Sequence, residues 1–199
     1  SKRGLCSTEW DFIYIKDEYA AKKLRSLDLN AEQLNEAMNP IWHTPNFDSK
    51  NNEIIIAGAF YDYRQLITKK LIDNNIEVGL YGSTPPIWAY PEIRKRFKNE
   101  YVTKERKSQI FGEGLAVLNS TAMREFDSLN CRAFEIAGCG GLQIMENRNS
   151  IQNCFEPGKE QFNAIRNNLS NKFNNLYANN LAVTKNKGTT KFYLNNSSV

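Results

Sequence analysis

Four short apolar runs recur along the chain and constrain its fold more than any other feature. They read EIIIAGAF at residues 53–60, IEVGLYG at 76–82, GLAVLNS at 114–120 and GLQIMEN at 141–147. A continuous apolar run of this length is typical of a strand that is buried on both faces. Helical patterns separate the runs, at residues 62–75, 92–107 and 129–139. Strands that alternate with helices predict an α/β fold with a Rossmann-like parallel sheet flanked by helices.

The chain before the first of these runs is patterned differently. DFIYI at residues 11–15 predicts a short strand, and residues 17–27 predict an amphipathic helix with Asp17 as its N-cap. Two prolines and many polar residues at 35–52 predict a connector. We therefore expect three parts, which are a remnant of a preceding domain with its connector (1–50), a Rossmann-like domain (51–180) and a polar tail (181–199). The abrupt start indicates a piece of a longer protein, and a polar helix or helix pair is predicted within 157–180.

Composition and charge argue against nucleic-acid binding, a metal site and a membrane span. The net charge is +4, and the most basic stretch, at residues 92–107, also contains acidic residues, which favours a solvated helix face over a nucleic-acid surface. The four cysteines form no C-x-x-C pair and His43 is the single histidine, so a metal site is poorly supplied with ligands. No run reaches the roughly 18 apolar residues of a membrane span. We expect a cytoplasmic protein with reduced thiols, no metal and no integral membrane segment.

The segment DSLNCRAFEIAGCGG, at residues 127–141, carries the candidate chemistry. Ligands of open parallel sheets bind at the carboxyl ends of the strands. We expect the loops at these ends to form one rim, with Gly58, Gly82, Ser120, Gly140 and Gly141 on it.

Three charged side chains of this segment suit a ligand that has both hydroxyls and phosphates. Asp127 and Glu135 can accept hydrogen bonds from sugar and ribose hydroxyls if both face the crevice. Arg132 near the helix start offers a planar fork to phosphate oxygens, and the helix N-terminus attracts anions. An exposed acid, an arginine salt bridge and a core helix would give the same pattern, so the residues alone leave both interpretations open.

Other residues are open to two interpretations. His43 is more often a structural or hinge histidine than a base. Tyr61, Tyr63 and Trp88 suit stacking on a nucleotide base, but aromatic residues at helix and loop edges usually pack. The rim glycines allow close approach of a ligand, or simply form turns.

A longer stretch, residues 118–160, resembles the donor-binding core of GT-B glycosyltransferases, and in particular the CgeB-like (spore-maturation-protein) group of the glycosyl transferases group 1 domains. The matching motifs are Leu118-Asn119, Arg132-Ala133-Phe134-Glu135, Cys139-Gly140-Gly141 and Phe155-Glu156-Pro157-Gly158-Lys159-Glu160. The last motif is spaced slightly differently from the family pattern. Upstream, IAGAFYDYRQLITKKLIDNNIEVGLYG is similar to the group's domain-opening unit, so that the likeness runs from about residue 10 to about 160.

The resemblance implies the C-terminal half of a GT-B fold that binds a UDP-, GDP- or dTDP-linked sugar and needs no cofactor. Glu135 would bind the ribose hydroxyls and Asp127 the donor sugar, although Asp127 stands where the family motif has Glu. Arg64 and Arg132 would contact the diphosphate, with Gly58, Asn119, Gly140 and Gly141 also lining the donor site. No catalytic residue is assigned, and the acceptor is unknown.

The resemblance also implies that most of the acceptor domain is missing, so that this chain binds a donor without transferring its sugar. Two other functions remain open. A non-catalytic interaction domain would keep the fold, and Glu135→Ala would then change stability and no ligand affinity. A nucleotide-sugar epimerase would keep both the fold and the donor site.

Overall fold

The computed structural model describes residues 10–45, 49–122, 125–146 and 148–155, and all structural statements below concern these residues. The helix or helix pair predicted within 157–180 and the polar tail lie outside them. No helix in these ranges has the length and apolar character needed to cross a bilayer.

The predicted Rossmann-like parallel sheet flanked by helices is confirmed. Its four strands are β3 (Ile54–Ala57), β4 (Val78–Tyr81), β5 (Ala116–Asn119) and β6 (Gln143–Met145). The helices beside it are α2 (Asp62–Asp73), α3 (Pro91–Arg96), α4 (Lys104–Glu113), α5 (Cys131–Gly138) and α6 (Asn149–Cys154). All strand pairs are parallel, in the order β4-β3-β5-β6.

The strand order reverses between β3 and β5. The chain passes from β3 to β4 on one side, and then returns to the other side of β3 to form β5 and β6. In open α/β sheets, a ligand crevice opens at the carboxyl ends of the strands where the order reverses. The fold therefore predicts a binding site beside the residues that follow Ala57 and Asn119.

Side chains of each strand alternate between two apolar layers. Ile54 and Ile56 pack with Leu71 and Ile72 of α2 and with Ile93 of α3. Ile55 and Ala57 face the other layer, which contains Ile110 and Phe111 of α4 and Ile136 of α5. The strands are continuous apolar runs because both faces of the sheet are covered.

A separate unit precedes the sheet. It consists of β1 (Ile13–Ile15), α1 (Glu18–Arg25) and β2 (Ala31–Gln33), and its two strands pair in parallel. The predicted N-cap is present, since the Oδ1 atom of Asp17 accepts a hydrogen bond from the Ala20 amide at 3.1 Å. The sequence did not predict β2, because the tripeptide AEQ has neither an apolar run nor an alternating pattern.

The charged stretch at 92–107 is interrupted rather than continuously helical. Between α3 and α4 the chain is extended, and the Lys98 amide donates to the Leu80 carbonyl at 2.9 Å. The Phe97 ring packs edge-on against Phe60, with 6.0 Å between ring centroids. Burial of this ring and hydrogen bonding along the edge of β4 outweigh the helical propensity of the charged residues.

Candidate anion and donor site

Two arginine side chains meet at the point where the strand order reverses. Arg64 comes from α2 and Arg132 from the first turn of α5. A Cβ atom built on Gly58, just after β3, would lie 2.7 Å from Nη1 of Arg64 and 2.8 Å from Nη2 of Arg132. Gly58 has a φ of +128°, so both its backbone conformation and the space above it require glycine.

Neutral groups hold Arg64 in place. Its Nε donates to the Ser120 hydroxyl at 2.9 Å, Nη1 to the Ala59 carbonyl at 2.6 Å and Nη2 to the Tyr61 hydroxyl at 3.1 Å. The side chain is almost fully buried, at 3% exposure. Burial, and then the charge of Arg132, lower the pKa of Arg64 to about 10. The arginine remains charged at neutral pH but lacks a compensating anion among these partners.

Asn119, the last residue of β5, hydrogen-bonds to Arg132 and so connects this arginine to the sheet. Its Oδ1 accepts from Nη1 of Arg132 at 3.3 Å and from Nδ2 of Asn130 at 3.0 Å. Its own Nδ2 donates to Asn130 and to Gln143. Asn119 is fully buried, so the end of β5 and the start of α5 form a rigid support for Arg132. Four of the predicted site residues, Gly58, Arg64, Asn119 and Arg132, thus come together.

Glu135 lies about one helical turn beyond Arg132 on α5, and its carboxylate is between α5, α4 and the connector. Its Oε1 accepts from Nζ of Lys107 at 2.9 Å and lies 3.5 Å from Nε2 of His43. The Asn39 amide donates to Nδ1 of His43 at 3.1 Å, which leaves the ring proton of a neutral histidine on Nε2, towards Glu135. His43 is buried and joins the connector to α5, which agrees with a structural role.

Asp127 contacts elements other than those that surround Glu135. Its Oδ1 accepts from the Ser150 amide in the first turn of α6 at 2.9 Å. Its backbone amide, like that of Phe126, donates to Oδ2 of Asp17 at 3.0 Å. In the described part of the chain, Asp127 and Glu135 share no partner. The two carboxylates therefore contact different elements, and the expectation that both face one crevice stays a prediction.

The N-terminus of α5 already has protein acceptors. The Asn130 side chain accepts from the Ala133 amide, and the carboxylate of Glu36 accepts from the Cys131 amide. Glu36 in turn forms an ion pair with Lys16 at 3.2 Å. Burial alone would raise the pKa of Glu36, but Lys16 and the Cys131 amide hold this pKa below its usual value. A carboxylate of the chain therefore occupies the anion position that was expected for a ligand.

The placement of Gly140 and Gly141 on the ligand rim was wrong. Both follow α5 and precede β6, so they lie at the amino end of the sheet, away from Gly58. The Gly140 amide donates to the Ala137 carbonyl and the Gly141 amide to the Ile136 carbonyl. With a φ of +68° at Gly140, these bonds form a Schellman motif that ends the helix. The two glycines are turn residues.

The structure shows further contacts around the site, and two of the residues that make them, Thr121 and Glu146, were not singled out by the sequence. Ser120 binds Arg64 through its hydroxyl and its carbonyl. Glu146, directly after β6, contacts the amide and hydroxyl of Thr121. The Tyr61 ring lies under the Arg64 guanidinium, at 4.7 Å, and is thereby engaged with the protein. Trp88 is 62% exposed on the loop after β4. Ser120 was placed on the rim because it follows a strand, and the same position after β6 was the sequence signal that could have identified Glu146.

A parallel α/β sheet that holds two arginines at its point of reversal defines a domain suited to bind an anionic ligand. The model of the glycosyl transferase-like family matches residues 64–181, which is more than half of the chain. The chain therefore belongs to the glycosyl transferase-like family. No curated protein and no solved structure matches it. The matched range includes both arginines, Asn119, Asp127, Glu135 and Glu146.

Proposed function

We propose that this chain is the donor-binding region of a glycosyltransferase of the GT-B type, similar to the CgeB-like group, and that it binds a nucleotide-diphospho-sugar. The observation that carries the proposal is the convergence of Arg64 and Arg132 on Gly58 at the reversal of strand order. Membership of the glycosyl transferase-like family supports a sugar donor as the anionic ligand.

The electrostatics of the arginine pair favour a diphosphate. Two like charges at a separation of about 5 Å repel by about 3 kcal/mol at an effective dielectric constant of about 20. An anion between the guanidinium groups removes this repulsion and gains charge-assisted hydrogen bonds. During transfer, the bond from the sugar to the diphosphate breaks and negative charge accumulates on the departing oxygen. Fixed guanidinium groups stabilise that charge without having to reorganise.

Gly58 contributes by lacking a side chain. Any Cβ at this position would occupy the space next to both guanidinium groups. The Gly58 backbone follows β3 directly, so the phosphate would lie against main chain rather than against a side chain. One glycine and two arginines would thereby bind the phosphate together.

Glu135 is the proposed partner of the ribose hydroxyls. Lys107 and His43 both approach its Oε1, and no described residue hydrogen-bonds to its Oε2. A carboxylate can accept several hydrogen bonds, so a ribose diol can bind while the ion pair to Lys107 stays in place. The ion pair then fixes the orientation of the carboxylate.

Calorimetric titration with UDP, GDP and dTDP, and with inorganic diphosphate, tests the proposal. We expect one nucleoside diphosphate to bind, and Arg132→Gln to weaken that binding about tenfold or more. Arg94→Gln is the matched control, because Arg94 is exposed on α3. Absence of binding by all three nucleotides would refute the donor role and would favour a non-catalytic interaction domain. Product analysis of the intact protein separates sugar transfer from epimerisation.

A further inference from the structure

Two large apolar side chains face solvent at a turn that follows the outermost strand, β4, and precedes α3. The Ala89 amide donates to the Pro86 carbonyl at 2.9 Å, which places Ile87 and Trp88 at the tip of this turn. Ile87 is 86% exposed and Trp88 is 62% exposed, and we call these two residues the apolar tip. Single exposed apolar residues are common on protein surfaces, whereas adjacent ones form a continuous apolar patch, which indicates an interaction site.

Contacts with the rest of the fold anchor the turn on both sides of the apolar tip. Before the tip, Pro85 and Pro86 restrict the backbone, and Pro85 is buried. After the tip, Ala89 is 3% exposed, and the Tyr90 amide donates to Oε1 of Gln65 on α2 at 3.2 Å. Because both sides are anchored, the exposure of the apolar tip is a property of the fold rather than of a free loop.

The helix that follows places positive charge beside the apolar tip. In α3, Ile93 is fully buried in the core, while Arg94, Lys95 and Arg96 are exposed. A helix of six residues is only about 9 Å long, so these cations lie within a short distance of the tip. Arginine and lysine side chains also have long flexible stems, so their charged groups can reach a surface that the tip contacts.

These cations have no counter-charge of their own in the described part of the chain. Residues 91–106 contain six basic and three acidic residues. Two of the acids are engaged elsewhere, since Glu92 lies 3.9 Å from Nζ of Lys69 and Glu100 lies 2.7 Å from Nε of Arg106, and the third is on α4. None of the three α3 cations forms an ion pair with a described residue. The surface beside the apolar tip is therefore positive.

An apolar tip beside unpaired cations identifies the chemistry of a partner. Tryptophan is enriched where proteins meet the headgroups of a bilayer, and lysine and arginine are attracted by the negative potential of anionic lipids. A nucleic acid would engage the cations but would leave the apolar Ile87 in water. A nucleotide base would stack on Trp88 and would use neither Ile87 nor the cations. An anionic bilayer uses all of these groups.

We propose that the apolar tip and the cations of α3 form a membrane-docking surface, which binds the surface of a bilayer that contains anionic lipids. Ile87 and Trp88 insert among the headgroups, and Arg94, Lys95 and Arg96 contact lipid phosphates. The attachment is peripheral and needs no helix that crosses the bilayer. The inference is independent of the proposed donor site, which lies between β3 and β5 rather than at the outermost strand.

Co-sedimentation of the chain with lipid vesicles tests the proposal. We expect vesicles of phosphatidylcholine mixed with an equal part of phosphatidylglycerol to bind about tenfold or more tighter than phosphatidylcholine alone, and less tightly at high salt. Trp88→Ser should weaken binding to the mixed vesicles about tenfold, because less apolar surface is buried. Arg94→Gln combined with Lys95→Gln should weaken it about tenfold or more, because two attracted charges are lost.

Matched controls remove similar groups from the β1-α1-β2 unit. Leu27→Ser removes an apolar side chain that is 65% exposed in a turn, and Lys22→Gln combined with Lys23→Gln removes two charges from α1. Because these groups lie on another element and distant charges are screened by salt, we expect either control to change vesicle binding by less than about twofold.

Quenching of tryptophan fluorescence locates the contact. Phosphatidylcholine with brominated acyl chains, mixed with phosphatidylglycerol, quenches a tryptophan that inserts into the bilayer. Trp88→Phe keeps an aromatic side chain at the apolar tip, so this variant should still bind the vesicles. It should lose most of the quenching, although Trp10 and Trp42 remain in the chain.

Four results would overturn the proposal. The first is absence of binding to the mixed vesicles, and the second is an equal loss of binding in the control variants, which would place the lipid contact on another surface. The third is tighter binding to a single-stranded thymidine oligonucleotide than to the vesicles, which would identify a nucleic-acid surface. The fourth is a loss of nucleoside diphosphate affinity in Trp88→Ser with unchanged vesicle binding, which would assign Trp88 to the donor site. Unfolding temperatures identify any variant that has lost its structure.

Discussion

Arg64 and Arg132 extend from helices on opposite faces of the sheet and direct their guanidinium groups at one backbone position, Gly58. Their hydrogen-bond partners in the described residues are neutral, namely hydroxyl, carbonyl and amide oxygens. An ion pair on the protein surface would carry its own counter-charge. Within the described residues neither guanidinium forms an ion pair at 4 Å or less, although the charge of Glu146 acts on Arg64, and the pair lies at the strand reversal, where ligands of such sheets bind.

A diphosphate ligand should stabilise the fold through this pair. At a nucleoside diphosphate concentration of about 100 times Kd, binding adds about 2.7 kcal/mol to the free energy of unfolding. For a chain of this size we expect the unfolding temperature to rise by about 5 °C or more. Differential scanning fluorimetry measures this shift. Arg132→Gln should reduce it, whereas equal shifts for Arg132→Gln and the wild type would show that the ligand binds elsewhere.

Gly58→Ala should abolish ligand binding as well as lower stability. The substitution places a methyl group within 3 Å of both guanidinium groups and forces alanine into a φ of +128°. Strain of this kind costs about 1–3 kcal/mol.

Gly140→Ala provides the matched control for that prediction, because Gly140 also has a positive φ but lies at the opposite end of the sheet. Chemical denaturation should show a loss of stability in both variants, and calorimetry should show a loss of nucleotide binding in Gly58→Ala alone. Equal loss of binding in the two variants would contradict the assignment of Gly58 to the site.

Glu135→Gln should distinguish ribose recognition from diphosphate recognition. The amide can no longer form an ion pair with Lys107 and accepts weaker hydrogen bonds from a diol. We expect the affinity for the nucleoside diphosphate to fall about tenfold and that for inorganic diphosphate to stay unchanged. Glu105→Gln, an exposed substitution on α4, should change neither affinity. A parallel loss for both ligands in Glu135→Gln would show that Glu135 has a structural role.

Asp17→Asn should destabilise the protein in a pH-dependent manner. Asp17 is 8% exposed and binds the amides of Ala20, Phe126 and Asp127, thereby joining the β1-α1-β2 unit to the loop before α5. Burial acts to raise the pKa of Asp17, but these amides hold the pKa below its usual value. The stabilisation is therefore complete above the unfolded-state pKa of about 3.9 and is lost as the pH falls through the lower folded-state pKa.

Urea denaturation at neutral pH and at successively lower pH measures this effect. We expect the substitution to cost about 1–3 kcal/mol at pH 7, with the difference from the wild type decreasing under acid conditions. Asp28→Asn, in an exposed turn, is the control. A difference that does not vary with pH would contradict the role of the Asp17 charge.

The sequence predicted the sheet because four apolar runs must be covered on both faces, and the two-layer packing of Ile54, Ile55, Ile56 and Ala57 confirms this reasoning. It placed Gly140 and Gly141 at the wrong end, because α5 runs back from the ligand edge and its terminal turn lies at the amino end of β6. It missed β2, whose polar tripeptide forms a strand only through pairing with β1.

The candidate site was partly predictable. Arg64 and Arg132 were named singly, but their convergence depends on how α2 and α5 pack on opposite faces of the sheet, which local patterns do not encode. The occupation of the α5 N-terminus by Glu36 arises from a residue of the connector that is distant in sequence. The contacts that Glu146 and Arg148 make with Thr121 likewise require the three-dimensional structure.

A crystal structure of the chain with the nucleoside diphosphate that it binds most tightly tests the central claim most directly. We expect diphosphate oxygens within hydrogen-bonding distance of both Arg64 and Arg132, against the backbone of Gly58, with the ribose hydroxyls at Glu135. A nucleotide bound away from Gly58, with neither guanidinium in contact with phosphate, would contradict it.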